Sequence, residues 1–352
     1  MTDIKQFLNE LLSMPGLSAY EGPAREHIAK TWKPLVDEME VSPIGSLHAL
    51  KKGSGSEPRP RILLAAHMDA IGMMVTGVQD GFLRFTEIGG IDPRLLPGLR
   101  VTVHGKSDLP GIIVMPRDTL LPERKGETPV EMKYLFIDLG LTADETASLV
   151  EIGDLVSFAQ EPMELPNGIV TGHSLDNRVS VAAVTVCLEE LRNVQHDWDV
   201  WAVATAQEEE TLGGGFTAPF AIRPDLAVAI DVTFAKGPGA SDWRTFPLGK
   251  GVTLGIGSNV HPGFFKAVKE VADRLDIPTH NELMPRGSGT DALAMQIVAD
   301  GITTLVLGIP LRYMHTPVEM VAWKDIQRAG HLMASFIAGL PGDFMKTLKW
   351  DD

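Results

Sequence analysis

The sequence predicts an α/β fold: a mostly parallel sheet with helices on both faces, interrupted by a small β-rich unit. Three observations carry this. Apolar runs such as ILLAA at 62–66 and LAVAI at 226–230 read as strands buried on both faces. Helix-like segments alternate with such strands before residue 72 and after residue 165, the pattern of a parallel-rich sheet. Residues 72–165 instead hold short strand-like pieces cut by Gly and Pro. The 352 residues therefore divide into one unit of 1–71 and 166–352 and an insert of 72–165.

Each element has a local cause. Ile4, Phe7, Leu8, Leu11 and Leu12 share one helical face, and Pro15-Gly16 stops that helix. Pro23 suits the first turn of a second helix. The polar KKGSGSEPRPR loop at 51–61 leads into the strand RILLAAH. In the insert, MMVTGV, FLRFTEI, LRVTVHG, GIIVM and LVSFA read as strands, with one helical piece at 142–150. Beyond it come a helix at 178–192, the strands WDVWAVATA and DLAVAIDVT, a helix at 262–275 and another at 291–299. The strand TTLVLGI and a closing helix at 323–338 complete the chain.

Composition narrows the function. With 44% hydrophobic and 22% charged residues the chain is ordinarily globular, not disordered, collagenous or a coiled coil. A net charge of -15 without a compensating basic block argues against nucleic acid or anionic membrane as partner. The lone cysteine, Cys187, excludes an internal disulfide and suits a reducing compartment. It falls in a predicted apolar helix, as a core filler. No leader-like segment and no run of about 20 apolar residues is present, so a cytoplasmic protein is expected.

Five positions hold an acid or imidazole at, or just after, the end of an apolar strand. His67 and Asp69 in AHMDAIG are two apart and share a strand face. Asp176 in SLDNR precedes a helix, where alone it reads as an N-cap. In QEEETLGGG a buried strand ends in Glu208, Glu209 and Glu210; the first two share a site only where the strand has stopped. Asp231 follows five apolar residues, and a buried carboxylate must be paired or bind metal. His315 follows the strand TTLVLGI in a loop bounded by Pro310 and Pro317. Singly each is ambiguous. Together, a parallel sheet collects such strand ends on one edge. His67, Asp176, Glu209, Asp231 and His315 make two imidazoles and three carboxylates, a donor set suited to zinc, cobalt or manganese. Glu208 is left over as a base. No P-loop, G-x-S-x-G elbow or H-E-x-x-H competes.

These motifs, in this order, resemble the glutamyl aminopeptidase family of dinuclear, tetrahedral-shell (TET) aminopeptidases, which includes deblocking aminopeptidases. MPGLSAYEG, GGIDPRLLPGLRVTVHG, LFIDLGL, SNVHPG and GSGTDA extend the likeness over nearly the whole chain. The resemblance implies a zinc-exopeptidase-like catalytic domain and a PDZ-like insert used in assembly. It implies two divalent ions per subunit, zinc or cobalt with manganese as a third choice. His67 and Asp231 would hold one, Glu209 and His315 the other, and Asp176 would bridge them. Glu208 would be the general base and Asp69 would orient His67. It further implies a cis bond after Asp176, short peptide substrates and a dodecamer built from dimers. Two positions depart from the family pattern: Glu210-Thr211 stands where Val-Gly is usual, and Ser180 where Gly is. An N-acyl amino acid or peptide deacylase on the same scaffold is the nearest rival. A glycoside hydrolase, with paired carboxylates but no need of imidazole ligands, is more distant. A shell protein without activity would lack a ligand.

Overall fold

The computed structural model describes residues 2–117, 119, 121 and 129–350. The chain begins with α1 (Ile4–Leu12), α2 (Gly22–Trp32), β1 (Glu38–Val41), β2 (Leu47–Lys51) and β3 (Arg61–His67). Asp3 caps α1 by accepting from the Gln6 amide, and Phe7, Leu8, Leu11 and Leu12 are its buried face, as the periodicity predicts.

Next come β4 (Gly72–Gln79), β5 (Phe82–Ile88), β6 (Arg100–His104), β7 (Asp108–Val114), β8 (Phe136–Asp138), α3 (Ala143–Leu149) and β9 (Leu155–Phe158). The six strands close into a barrel in the order β4-β5-β8-β7-β6-β9. Its interior is a hydrophobic core of its own, including Met73, Val75, Leu83, Val101, Val103, Ile113, Ile137 and Val156. Alternation along each strand puts these residues inward, and closure removes sheet edges.

The remainder is β10 (Met163–Leu165), β11 (Ile169–Gly172), α4 (Leu175–Glu190), β12 (Asp199–Thr205), α5 (Glu208–Thr211), α6 (Gly213–Ile222), β13 (Leu226–Phe234), β14 (Val252–Gly257), α7 (Pro262–Arg274), β15 (Thr279–Met284), α8 (Asp291–Gln296), β16 (Thr303–Arg312), β17 (Glu319–Ala322) and α9 (Trp323–Ala338). With the first three strands these build an 11-stranded sheet whose main path is β1-β2-β12-β3-β13-β16-β17-β11-β10. The β12-β3-β13-β16 centre is parallel. The flanks β1-β2-β12 and β16-β17-β11-β10 are antiparallel, so the sheet is mixed. Those flanking strands are short and partly polar, which is why the apolar runs revealed only the parallel centre.

Helices α4 and α9, with α1 and α7, cover one face; α6 and α8 cover the other. The α4–α9 approach depends on Gly330, where a Cβ would stand 2.5 Å from both the Ala183 carbonyl and Val186 Cβ. Cys187 is buried in α4, and burial pushes its thiol pKa up. No helix among the described residues is long and apolar enough to cross a membrane.

Candidate metal centre

The sheet register places the first residues of the site. Thr205 pairs with His67, and Ala229 with Ala65, so His67 and Asp231 lie at one level two residues further along. Asp231 pairs with Gly308 on the other side. β12 stops at Thr205, and residues 208–211 turn helically, so Glu208 and Glu209 are not forced to opposite faces. Asp176 lies at the start of α4, where Asp176 and Asn177 are non-helical and the bond between them is cis. His315 follows β16 with a left-handed φ of 61°.

These side chains line one cavity of about 420 Å³. His67 Nε2 lies 3.1 Å from Asp176 Oδ1, 3.7 Å from Glu208 Oε2 and 3.8 Å from Asp231 Oδ1. His315 Nε2 lies 3.5 Å from Asp176 Oδ2 and 3.3 Å from Glu209 Oε2. Each oxygen of Asp176 thus faces a different imidazole. Candidate ligand atoms of His67, Glu208 and Asp231 fall within 4.8 Å of one another, as do those of His67, Asp176 and Glu209.

Two further carboxylates hold these residues by their backbones. Asp69, fully buried, accepts from the amides of Glu208 (3.1 Å) and Glu209 (3.2 Å) and from Ser18 Oγ (2.6 Å). Its Oδ1 also lies 3.5 Å from His67 Nδ1, so it does more than orient that imidazole. Glu319, which the sequence reading did not single out, accepts from the amides of Asp176 (3.1 Å) and His315 (2.9 Å). Its signal is an acid opening the otherwise apolar strand EMVA. His67 Nδ1 faces the Asp69 carbonyl at 3.2 Å, and His315 Nδ1 the Gly90 carbonyl at 2.9 Å. Carbonyls only accept, so both imidazoles are protonated at Nδ1 and present Nε2 to the cavity. His173, just before α4, is buried edge-on against Phe158 and does not line the cavity.

The electrostatics follow from crowding. Burial pushes Glu208 up to about 10 and Glu209 up to about 8, and it raises Asp231 and Glu319 well above the carboxylate range. Burial also acts on Asp176 and Asp69, but hydrogen bonds from imidazoles outweigh it and hold both low. The Asp176 hydrogen bond raises His315 to about 9. Among the described residues lining the cavity there is no lysine or arginine. Glu209 Oε1 is buried without a hydrogen-bond partner. Four converging carboxylates, two Nε2 atoms and an orphaned carboxylate oxygen fit divalent cations, which compensate buried negative charge.

Comparison with known proteins agrees. Residues 45–332 match the M42 glutamyl aminopeptidase family. The chain is 33% identical to a lysyl aminopeptidase of Pyrococcus furiosus, over 96% of this chain and 98% of that one. A TET aminopeptidase from a marine sediment archaeon of the Thaumarchaeota superposes with a TM-score of 0.91 at 29% identity, over 98% and 99% of the two chains. A Pyrococcus horikoshii TET peptidase, described as assembling into a tetrahedron or a large octahedral shell, gives 0.82 at 30% identity over 95% and 99%. The chain belongs to the M42 glutamyl aminopeptidase family and is a metallo-aminopeptidase.

Proposed function

We propose that the cavity would hold two divalent ions, zinc or cobalt with manganese as a third choice, with Asp176 among the residues holding each, and that the chain releases N-terminal residues from short peptides. The observation that carries this reading is Asp176 itself, with one oxygen 3.1 Å from His67 Nε2 and the other 3.5 Å from His315 Nε2. His67 and Asp231 would hold one ion, Glu209 and His315 the other. When bound, such ions supply Lewis-acid chemistry, acidifying water and polarising the scissile carbonyl.

The protein's own groups do the rest. Glu208 takes the proton of the attacking water and delivers it to the leaving amine. Its burial keeps its proton affinity high enough for the second step, and bound divalent ions would supply the positive charge that lowers it for the first. Asp69 fixes the turn that carries Glu208 and Glu209. The likeness to aminopeptidases over nearly the whole chain supports an aminopeptidase over a deacylase. The barrel, with its own core, is the natural unit for assembly, and residues 72–165 form the inserted domain in this reading. The shell-forming relative supports a homo-oligomer, and the form proposed here is a dodecamer built from dimers.

The test is Glu208→Gln, with ion content and turnover measured together. Retained ions with turnover lost supports the base role. Loss of ions would make Glu208 a ligand, and near-normal activity would remove it from catalysis.

A further inference from the structure

Glu210 follows the two site glutamates on α5, is exposed, and does not line the cavity. Its Oε1 accepts from the amide of Gly89 at 2.5 Å. Gly89 and Gly90 form the loop that leaves barrel strand β5. The carbonyl of Gly90 accepts from His315 Nδ1 at 2.9 Å. That bond places one proton on Nδ1 and turns Nε2 toward Glu209 Oε2 and Asp176 Oδ2, the nitrogen that would serve as the ligand once its own proton is displaced. The His315 side chain is 34% exposed, so packing alone does not fix the ring. Its orientation depends on where the Gly90 carbonyl stands, and a loop glycine pair has little stiffness of its own.

We propose that Glu210 is a positioning residue: by holding the Gly89 amide it sets the Gly90 carbonyl, and through it the ring of His315. The inference rests on the two-ion reading of the cavity. Its consequence is a link between the barrel and the metal centre. One side chain joins α5, which carries Glu208 and Glu209, to the barrel loop that orients His315. A shift of the barrel loop is thereby transmitted to His315.

The chemistry makes the prediction specific. Glutamine at 210 keeps an accepting oxygen for the Gly89 amide, while alanine keeps none. Gly90→Ala offers an independent perturbation, because its Cβ would stand 3.1 Å from His315 Nδ1. Both Glu210→Ala and Gly90→Ala act on His315 and leave His67 and Asp231 untouched.

The experiment titrates metal-free wild type, Glu210→Gln, Glu210→Ala and Gly90→Ala with Co(II), following the visible spectrum and ion content, with melting temperatures as a folding control. The expected result is about tenfold weaker binding of one ion in Glu210→Ala and Gly90→Ala, within the range for outer-shell changes, with the other ion unaffected. Glu210→Gln stays within about twofold of wild type. Saturating Co(II) restores most of the turnover in Glu210→Ala, since the chemistry itself is intact. Equal affinity in wild type and Glu210→Ala overturns the proposal. So does a Glu210→Gln defect as large as that of alanine, which would make charge and not the hydrogen bond responsible. A wild type that binds a single ion overturns the two-ion reading instead, and a tenfold Glu210→Ala effect on that ion would still support the positioning role.

Discussion

Asp69→Asn changes one atom and leaves volume unaltered. Asp69 is fully buried, and its two oxygens receive the Glu208 and Glu209 amides and the Ser18 hydroxyl. The substitution turns one oxygen into a donor. The least costly arrangement places the new NH2 where Oδ2 stood, because Ser18 Oγ can rotate to accept from it. The Glu209 amide then has no acceptor. A buried donor left unpaired costs about 1–3 kcal/mol, which corresponds to roughly 5- to 150-fold in an equilibrium or rate. If the 208–211 turn holds its place, the cost lowers the melting temperature. If the turn shifts to find another partner, Glu208 and Glu209 move and kcat/KM falls at saturating metal. The assay therefore pairs kcat/KM on an aminoacyl amide with thermal unfolding. Ser18→Ala, which deletes one bond and orphans no backbone group, serves as the milder control. The sign with pH is also set. The folded pKa of Asp69 is lowered, so its stabilisation is present above its ordinary value and lost as pH falls through the folded value. An Asp69→Asn enzyme with both kcat/KM and melting temperature unchanged would refute the role given to this carboxylate.

Other predictions follow the same reasoning. Glu208→Gln lowers kcat by about 10²- to 10⁴-fold, the usual worth of a general base, with ion content unchanged. Asp176→Asn costs both ions, because each oxygen faces a separate imidazole; full occupancy by elemental analysis contradicts this. Metal-free protein loses stability as pH rises from about 5 to 9. Glu208 and Glu209 have raised folded pKa values and hold protons that the unfolded chain releases, and the benefit of protonated His315 disappears as pH passes through about 9. The gain in melting temperature from added ions is therefore larger at pH 8 than at pH 6, and a gain that shrinks with pH counts against the charge account. Gly330→Ala destabilises the α4–α9 contact without altering ion affinity, since the clash lies against the Ala183 carbonyl and Val186.

Much of this was legible in the sequence because burial and chemistry coincide at strand ends. LAVAI ends in Asp231 and ILLAA in His67, and a parallel sheet aligns such ends. What was illegible depends on long-range partners. Glu319 serves Asp176, 143 residues away, through a backbone amide that no side-chain pattern advertises. Arg178, expected only to start a helix, is buried with its guanidinium on the carbonyls of Leu11, Met14, Gly16 and Met68, binding the N-terminal segment to β3 and α4. The flanking strands β1 and β10 are short and polar, and β17 has only four residues, too few to show a period. Glu210 was visible as an extra acid beside the site, but its partner, the Gly89 amide, lies 121 residues away.

The most direct test of the central claim is a metal add-back assay on chelated protein. Free-amine aminoacyl fluorogenic amides are compared with their N-acetylated forms and a soluble cellulose, while zinc, cobalt or manganese is restored in steps. Cleavage of the free-amine substrates alone is expected, reaching full rate as ion content approaches two per chain. Cleavage confined to the acetylated set, or full activity in the chelated protein, would contradict the claim.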